Sequence, residues 1–188
     1  MIGALLAGGA GNRMGDRPKV AVALAGRPLA ARPLEVLASV CATVAVVCKA
    51  DTDLAALPHG IERWDEPAEP RHPLAGIAYA VERARGEVLV CAADMPFVDA
   101  AVCRSLIEVA KQEPDARAVV AEAGGRLEPL LAVYRPAALT ALRAASDDAR
   151  ATVVAEGLSP VRLPVRADAV RSVNTPEELA AANAELAG

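Results

Sequence analysis

The residues with the clearest chemical potential lie at the start of the chain, in Leu5-Leu6-Ala7-Gly8-Gly9-Ala10-Gly11-Asn12-Arg13-Met14-Gly15-Asp16-Arg17-Pro18-Lys19. An apolar run from Ile2 to Ala7 breaks into a glycine cluster, and Arg13 and Lys19 follow. Glycines let the backbone turn tightly and bring bare N–H groups close to a ligand, and the two cations add donors, so the combination suits the phosphates of a nucleotide. It is not a Walker loop, because Pro18 rather than glycine precedes Lys19. It is not a dinucleotide fingerprint either: Gly9 and Gly11 fit, but Met14 holds the place of the third glycine. The lysines are Lys19, Lys49 and Lys111 in a chain that otherwise uses arginine. A lysine inside the loop therefore points to a compact charge for a phosphate. The plainer alternative is a glycine-rich turn with two exposed cations.

A second candidate is Asp94, in Val90-Cys91-Ala92-Ala93-Asp94-Met95-Pro96-Phe97. It follows an apolar run at the point where the chain leaves a predicted strand. Magnesium is held by one or two carboxylates plus substrate phosphates, so one aspartate there can serve as its ligand. Capping a turn is the alternative use. Acyl-transfer machinery is poorly supplied, since His59 and His72 are the only histidines and no Ser-His-Asp or Cys-His arrangement is evident.

The elements that must position these residues alternate between strand-like and helix-like patterns, which signals an α/β fold: an open, mostly parallel sheet with helices on both faces. Strands are expected at Ile2–Ala7, Thr43–Cys48, Ile61–Trp64, Val88–Cys91 and Val161–Val165. Helices are expected at Leu29–Val40, with Pro33 kinking or restarting it, and at Leu74–Arg85, stopped by Gly86. Asp99 caps a helix over Ala100–Gln112, and Ala137–Ala145 and Ala149–Glu156 form two more. Ala118–Glu122 and Leu130–Tyr134 flank Gly124-Gly125 as a hairpin. Thr175-Pro176-Glu177-Glu178 starts a last helix, with Thr175 as N-cap and Glu178 closing a capping box. Ligands of open α/β sheets bind beyond the carboxyl ends of the strands, where both the glycine loop and Asp94 fall.

At 188 residues the chain fits one domain, residues 1–188. Aromatics are Trp64, Tyr79, Phe97 and Tyr134, too few for the stacking platforms of single-stranded nucleic-acid binding, and a net charge of −4 argues against a broad polyanion surface. Neither nucleic acid nor membrane is an expected partner. The apolar N-terminus is too short to span a bilayer and has no basic leader segment, so the expected location is cytoplasmic. Cys41, Cys48, Cys91 and Cys103 show no C-x-x-C spacing and are expected as buried, reduced thiols.

Five segments, in order, resemble the molybdenum cofactor guanylyltransferase (MobA-like) nucleotidyltransferase family. They are the Leu5–Lys19 loop, His72-Pro73-Leu74-Ala75-Gly76, Asp94-Met95-Pro96-Phe97, Glu128-Pro129-Leu130-Leu131-Ala132-Val133-Tyr134 and Asn174-Thr175-Pro176-Glu177-Glu178-Leu179. The resemblance implies the Rossmann-like fold of nucleotide-diphospho-sugar transferases. It also implies transfer of GMP from GTP to the terminal phosphate of molybdopterin, with release of pyrophosphate and Mg2+ as cofactor. Transient contact with molybdoenzyme maturation proteins goes with it. By position, Leu6, Ala7, Gly8 and Gly9 meet the guanine nucleotide, Arg13 and Lys19 sit by the triphosphate, and Asp94 binds magnesium beside GTP. Asp65 matches an aspartate of the nucleotide pocket, with an ordinary acidic loop residue as the alternative. Lys49 falls near a polar nucleotide contact, with a surface lysine as the alternative. Gly11 and His72 depart from the serine and glycine that the family uses. Transfer of CMP, transfer to a sugar phosphate or other small phosphate, and a non-catalytic nucleotide-binding accessory role remain open. A dinucleotide-binding oxidoreductase is disfavoured by Met14.

Overall fold

The computed structural model describes residues 1–8, 22–54, 56–146 and 148–187. Among them the first strand, β1 (Ile2–Leu6), takes the centre of the molecule because its Gly3, Ala4 and Leu5 are buried. Valine-rich β4 (Thr43–Lys49) and β6 (Val88–Ala92) flank it in parallel, and β5 (Ile61–Glu66) pairs in parallel outside β4. On the other side the order continues through β8 (Arg126–Tyr134), β7 (Ala118–Ala123) and β9 (Val161–Pro164), giving a seven-stranded sheet, β5-β4-β1-β6-β8-β7-β9. Only β8 runs against the rest, since β7–β8 is the expected hairpin and β9 is parallel to β7. Gly124 and Gly125 make its turn with φ of 56° and 78°, angles glycine adopts without a Cβ penalty. A two-stranded ribbon, β2 (Ala23–Leu24) with β3 (Arg27–Pro28), stands apart and was not foreseen in the sequence.

Period-two alternation sends side chains to two faces. Val44, Val46 and Cys48 of β4 join the core under α1 (Ala31–Val40) and α3 (Ala100–Gln112). Ala45 and Val47 join the core under α2 (Pro73–Ala84), α4 (Leu139–Ala144) and α5 (Ala151–Gly157). Pro33 causes no break. It falls in the first turn of α1, where its missing N–H would have had no intrahelical partner. Asp99 caps α3 by accepting from Val102 N at 2.9 Å. The last helix, α6 (Pro176–Ala187), begins with reciprocal bonds: Glu178 N donates to the Thr175 hydroxyl, and Thr175 N donates to the Glu178 carboxylate. No helix among the described residues is long and apolar enough to cross a membrane.

Candidate nucleotide site

The chain leaves β1 toward β4 on one side of the sheet and reaches β6 on the other, so the carboxyl ends of β1 and β6 form a topological switch point. A cavity of about 200 Å³ opens there. Leu6, Ala7 and Gly8 form one wall and Ala92, Ala93 and Asp94 the facing one. Two backbone bonds hold these walls to the sheet: Ala7 N donates to Val47 O at 2.8 Å, and Ala93 N donates to Leu6 O at 3.0 Å. Asp94 is itself anchored from the C-terminal segment, where Val173 N donates to its carbonyl at 2.8 Å. The remaining wall comes from Glu66, from Arg71 and His72 before α2, and from Gly76 within it.

Leu6, Ala7, Gly8 and Asp94 are therefore brought together. Gly9, Arg13 and Lys19 lie outside the described residues. Asp65 and Lys49 stand differently from the expectation. Strand β5 runs two residues further than its sequence pattern suggested, so alternation continues past buried Trp64, turning Asp65 outward and Glu66 inward. Asp65 is half-exposed and accepts from Arg63 Nε at 2.7 Å. That pair aims the Arg63 guanidinium at the carbonyls of Lys49, Ala50 and Thr52, closing the turn after β4. On this side the acid that reaches the cavity wall is Glu66, opposite the wall that carries Asp94.

Lys49 is no surface lysine, being 2% exposed. Its ammonium donates to Pro67 O at 2.6 Å and Pro70 O at 2.8 Å and lies 3.5 Å from Glu66 Oε1. Two of the three ammonium donors are thus hydrogen-bonded to carbonyls, and the charge is paired with Glu66.

Glu66 was missed from sequence because its strand seemed to end at Trp64. The available signal was its even spacing from Trp64. Burial raises the Glu66 carboxyl above its ordinary range, and the Lys49 ammonium opposes that rise. Among the described residues its buried Oε2 has no hydrogen-bond partner. The carboxylate fits because Gly8 has no side chain, while Gly76 leaves open space beside it. A Cβ on Gly8 would stand 2.3 Å from Oε1, and one on Gly76 would stand 3.4 Å from Oε2. Arg71 brings a cation to the mouth, paired with Asp51 at 2.6 Å. His72 accepts from Leu74 N through Nδ1 at 3.2 Å, so it caps α2 while lining the cavity.

Glu128 stands on β8, three residues before Leu131, which pairs with Cys91; Asp94 lies three residues after Cys91 on the antiparallel neighbour. Burial first, and to a smaller degree the nearby charge of Asp94, raise the Glu128 carboxyl above its usual range, against the bond it accepts from Leu130 N. Among the described residues no group of three or more metal-ligating side chains is gathered. A hard oxygen donor such as Asp94 fits magnesium, which keeps water and substrate oxygens for its other positions. The four cysteines are free thiols; three are buried as expected, whereas Cys41 is partly exposed.

The sequence profile of the MobA-like NTP transferase domain matches residues 3–162. The chain is similar to the molybdenum cofactor guanylyltransferase of Pseudomonas syringae pv. syringae, 32% identical over 92% of this chain and 88% of the relative. It is also similar to that of Cereibacter sphaeroides, 30% identical over 99% and 97%. Its fold matches the crystal structure of molybdopterin-guanine dinucleotide biosynthesis protein A from Archaeoglobus fulgidus with a TM-score of 0.77, at 25% identity over 100% of this chain and 99% of that one.

Proposed function

The chain belongs to the MobA-like NTP transferase family, and from that premise we propose that it transfers GMP from GTP to the terminal phosphate of molybdopterin, releasing pyrophosphate. The observation that carries this is the meeting of the Leu6–Gly8 turn with Asp94 in one cavity at the β1/β6 switch point. The chemistry needs no dedicated base. A phosphate monoester has a second pKa of about 6, so at neutral pH it is mostly a dianion able to attack the α-phosphate directly. The obstacle is the approach of one anion to another, which is overcome by positioning and by charge stabilisation.

In this proposal the nucleoside lies along Leu6, Ala7 and Gly8 with Glu66 at its edge, and the triphosphate runs toward Asp94. Gly9 continues the nucleotide contact, while Arg13 and Lys19 stabilise the departing pyrophosphate. Asp94 would hold magnesium, which when bound supplies charge neutralisation on the phosphate oxygens. The recessed Leu6–Gly8 and Ala92–Asp94 walls would hold the α-phosphate for the incoming phosphate and limit competing water. The free thiols suit a reducing compartment, in keeping with a cytoplasmic place of action.

The test is transfer of label from GTP carrying radioactive phosphorus at the α position to molybdopterin in the presence of Mg2+. We expect label in a guanine dinucleotide product, one pyrophosphate per transfer, little product from CTP, and loss of transfer in a folded Asp94→Ala variant. Equal transfer from CTP would overturn the choice of base, and wild-type transfer in Asp94→Ala would overturn the role of that carboxylate.

A further inference from the structure

Lysine is almost never stripped of water unless its charge is paired, and Lys49 meets that condition in an informative way. It is the last residue of β4 and shares the α2-side face with Ala45 and Val47. Each partner of its ammonium belongs to the cavity's outer wall or to the segment that builds it. Glu66 Oε1 is one. The others are the carbonyls of Pro67 and Pro70, which bracket the stretch leading into Arg71, His72 and the start of α2. Prolines bring no N–H, so at these two positions the segment cannot fasten itself by backbone donation. The ammonium supplies the fastening from below.

The consequence falls on Glu66. Its Oε1 is wedged between the Lys49 ammonium and Gly8, which leaves buried Oε2 without a partner among the described residues, beside Gly76 on the cavity wall. A buried acceptor without a donor is costly, so its presence points to a donor that arrives with the ligand. Without the lysine, the carboxylate would lose its counter-charge and its fixed rotamer together.

We propose that Lys49 is a positioning residue. Its ammonium fixes the Glu66 carboxylate and the 67–72 segment, so that Glu66 Oε2 is presented to an N–H or O–H donor of the bound nucleoside. This rests on the cavity being the nucleotide pocket. Lys49 touches no ligand; it determines where the acceptor stands.

The experiment is calorimetric titration of the full chain, with Mg2+, using GTP, CTP and 2′-deoxyGTP. Its variants are Lys49→Met, Lys49→Arg, Glu66→Gln and Lys49→Met/Glu66→Gln. We expect Lys49→Met to weaken GTP binding tenfold or more and Lys49→Arg to recover part of the loss. The GTP-to-CTP affinity ratio narrows if the donor is on the base, and the GTP-to-2′-deoxyGTP ratio narrows if it is a ribose hydroxyl. A purely structural lysine would lower the folded fraction without moving either ratio. The double variant is electrically neutral and keeps the test alive if Lys49→Met does not fold. It should bind GTP no more weakly than Glu66→Gln alone, because the two residues act as one unit. Binding of GTP within twofold of wild type by Lys49→Met, or by the double variant, would overturn the proposal while the pocket assignment stands. Failure of the wild-type chain to bind GTP would overturn both.

Discussion

Replacing Gly8 with alanine should expose the tightest contact of the pocket. The added carbon would sit 2.3 Å from Glu66 Oε1, where ordinary contact begins at 3.4 Å, so one side must retreat by 3.4 − 2.3 = 1.1 Å. Retreat of Glu66 would disturb its pairing with the Lys49 ammonium, 3.5 Å from Oε1. The Leu6–Gly8 turn is equally constrained, because Ala7 N is bonded to Val47 O and Leu6 O accepts from Ala93 N. Backbone angle is not the cause, since Gly8 does not use a positive φ. Overpacking of this kind costs about 1–3 kcal/mol. For a chain of this length that is roughly 2–12 °C in Tm, at ~2–4 °C per kcal/mol. Urea denaturation of Gly8→Ala should show the loss in the wild-type background. In a Lys49→Met/Glu66→Ala background, where the obstructing carboxylate is gone and no lone charge is left, the cost should fall below about 0.5 kcal/mol, the scatter expected of independent sites. Equal costs in the two backgrounds would refute the wedge between Gly8 and Glu66.

Three further outcomes are expected. His72→Ala removes the side-chain acceptor for Leu74 N, so chemical denaturation should show a loss of about 1 kcal/mol, and His72→Asn, which keeps a capping oxygen, should recover most of it. Arg135 is 11% exposed and satisfies the carbonyls of Ala110, Glu113 and Ala116 together with Glu87. Arg135→Lys should therefore cost about 2 kcal/mol or more in a urea titration, since one ammonium cannot span the positions of a planar fork. Glu66 and Glu128 both have carboxyls raised in the folded state by burial, so the native state holds protons that the unfolded state releases. Their contribution to stability is full below the unfolded carboxylate range and is lost as pH rises through the folded values. Glu128→Gln should flatten the fall of urea stability with pH in that interval, and an unchanged slope would contradict the shift assigned to it.

Much of the architecture was visible in residue pattern. Apolar runs marked the parallel strands, Gly124-Gly125 marked the hairpin, and Asp99 and Thr175 marked helix starts, because each of these signals is local and needs no tertiary partner. What escaped depended on neighbours. The ribbon of β2 and β3 has two residues per strand, too short for any alternation, and turns through Ala25 with φ of 49°, an angle no sequence rule assigns to alanine. Strands β4 and β5 each extend past their apolar runs because they pair with one another to the end, Lys49 opposite Glu66. That extension turned Asp65, expected at the nucleotide pocket, into an outward strand residue and placed Glu66 on the wall. It also buried Lys49, which composition alone would leave in water. Pro33 looked like a kink because its distance from the helix start was not legible; the helix begins at Ala31.

The most direct measurement is a crystal structure of the chain grown with GTP and Mg2+. We expect the guanosine along Leu6–Gly8 with a donor atom within hydrogen-bond distance of Glu66 Oε2, and the α-phosphate on the Asp94 side of the cavity. Nucleotide bound away from the carboxyl ends of β1 and β6 would contradict the assignment of this cavity, and nucleotide bound there with Glu66 lacking a ligand contact would contradict the role given to Glu66.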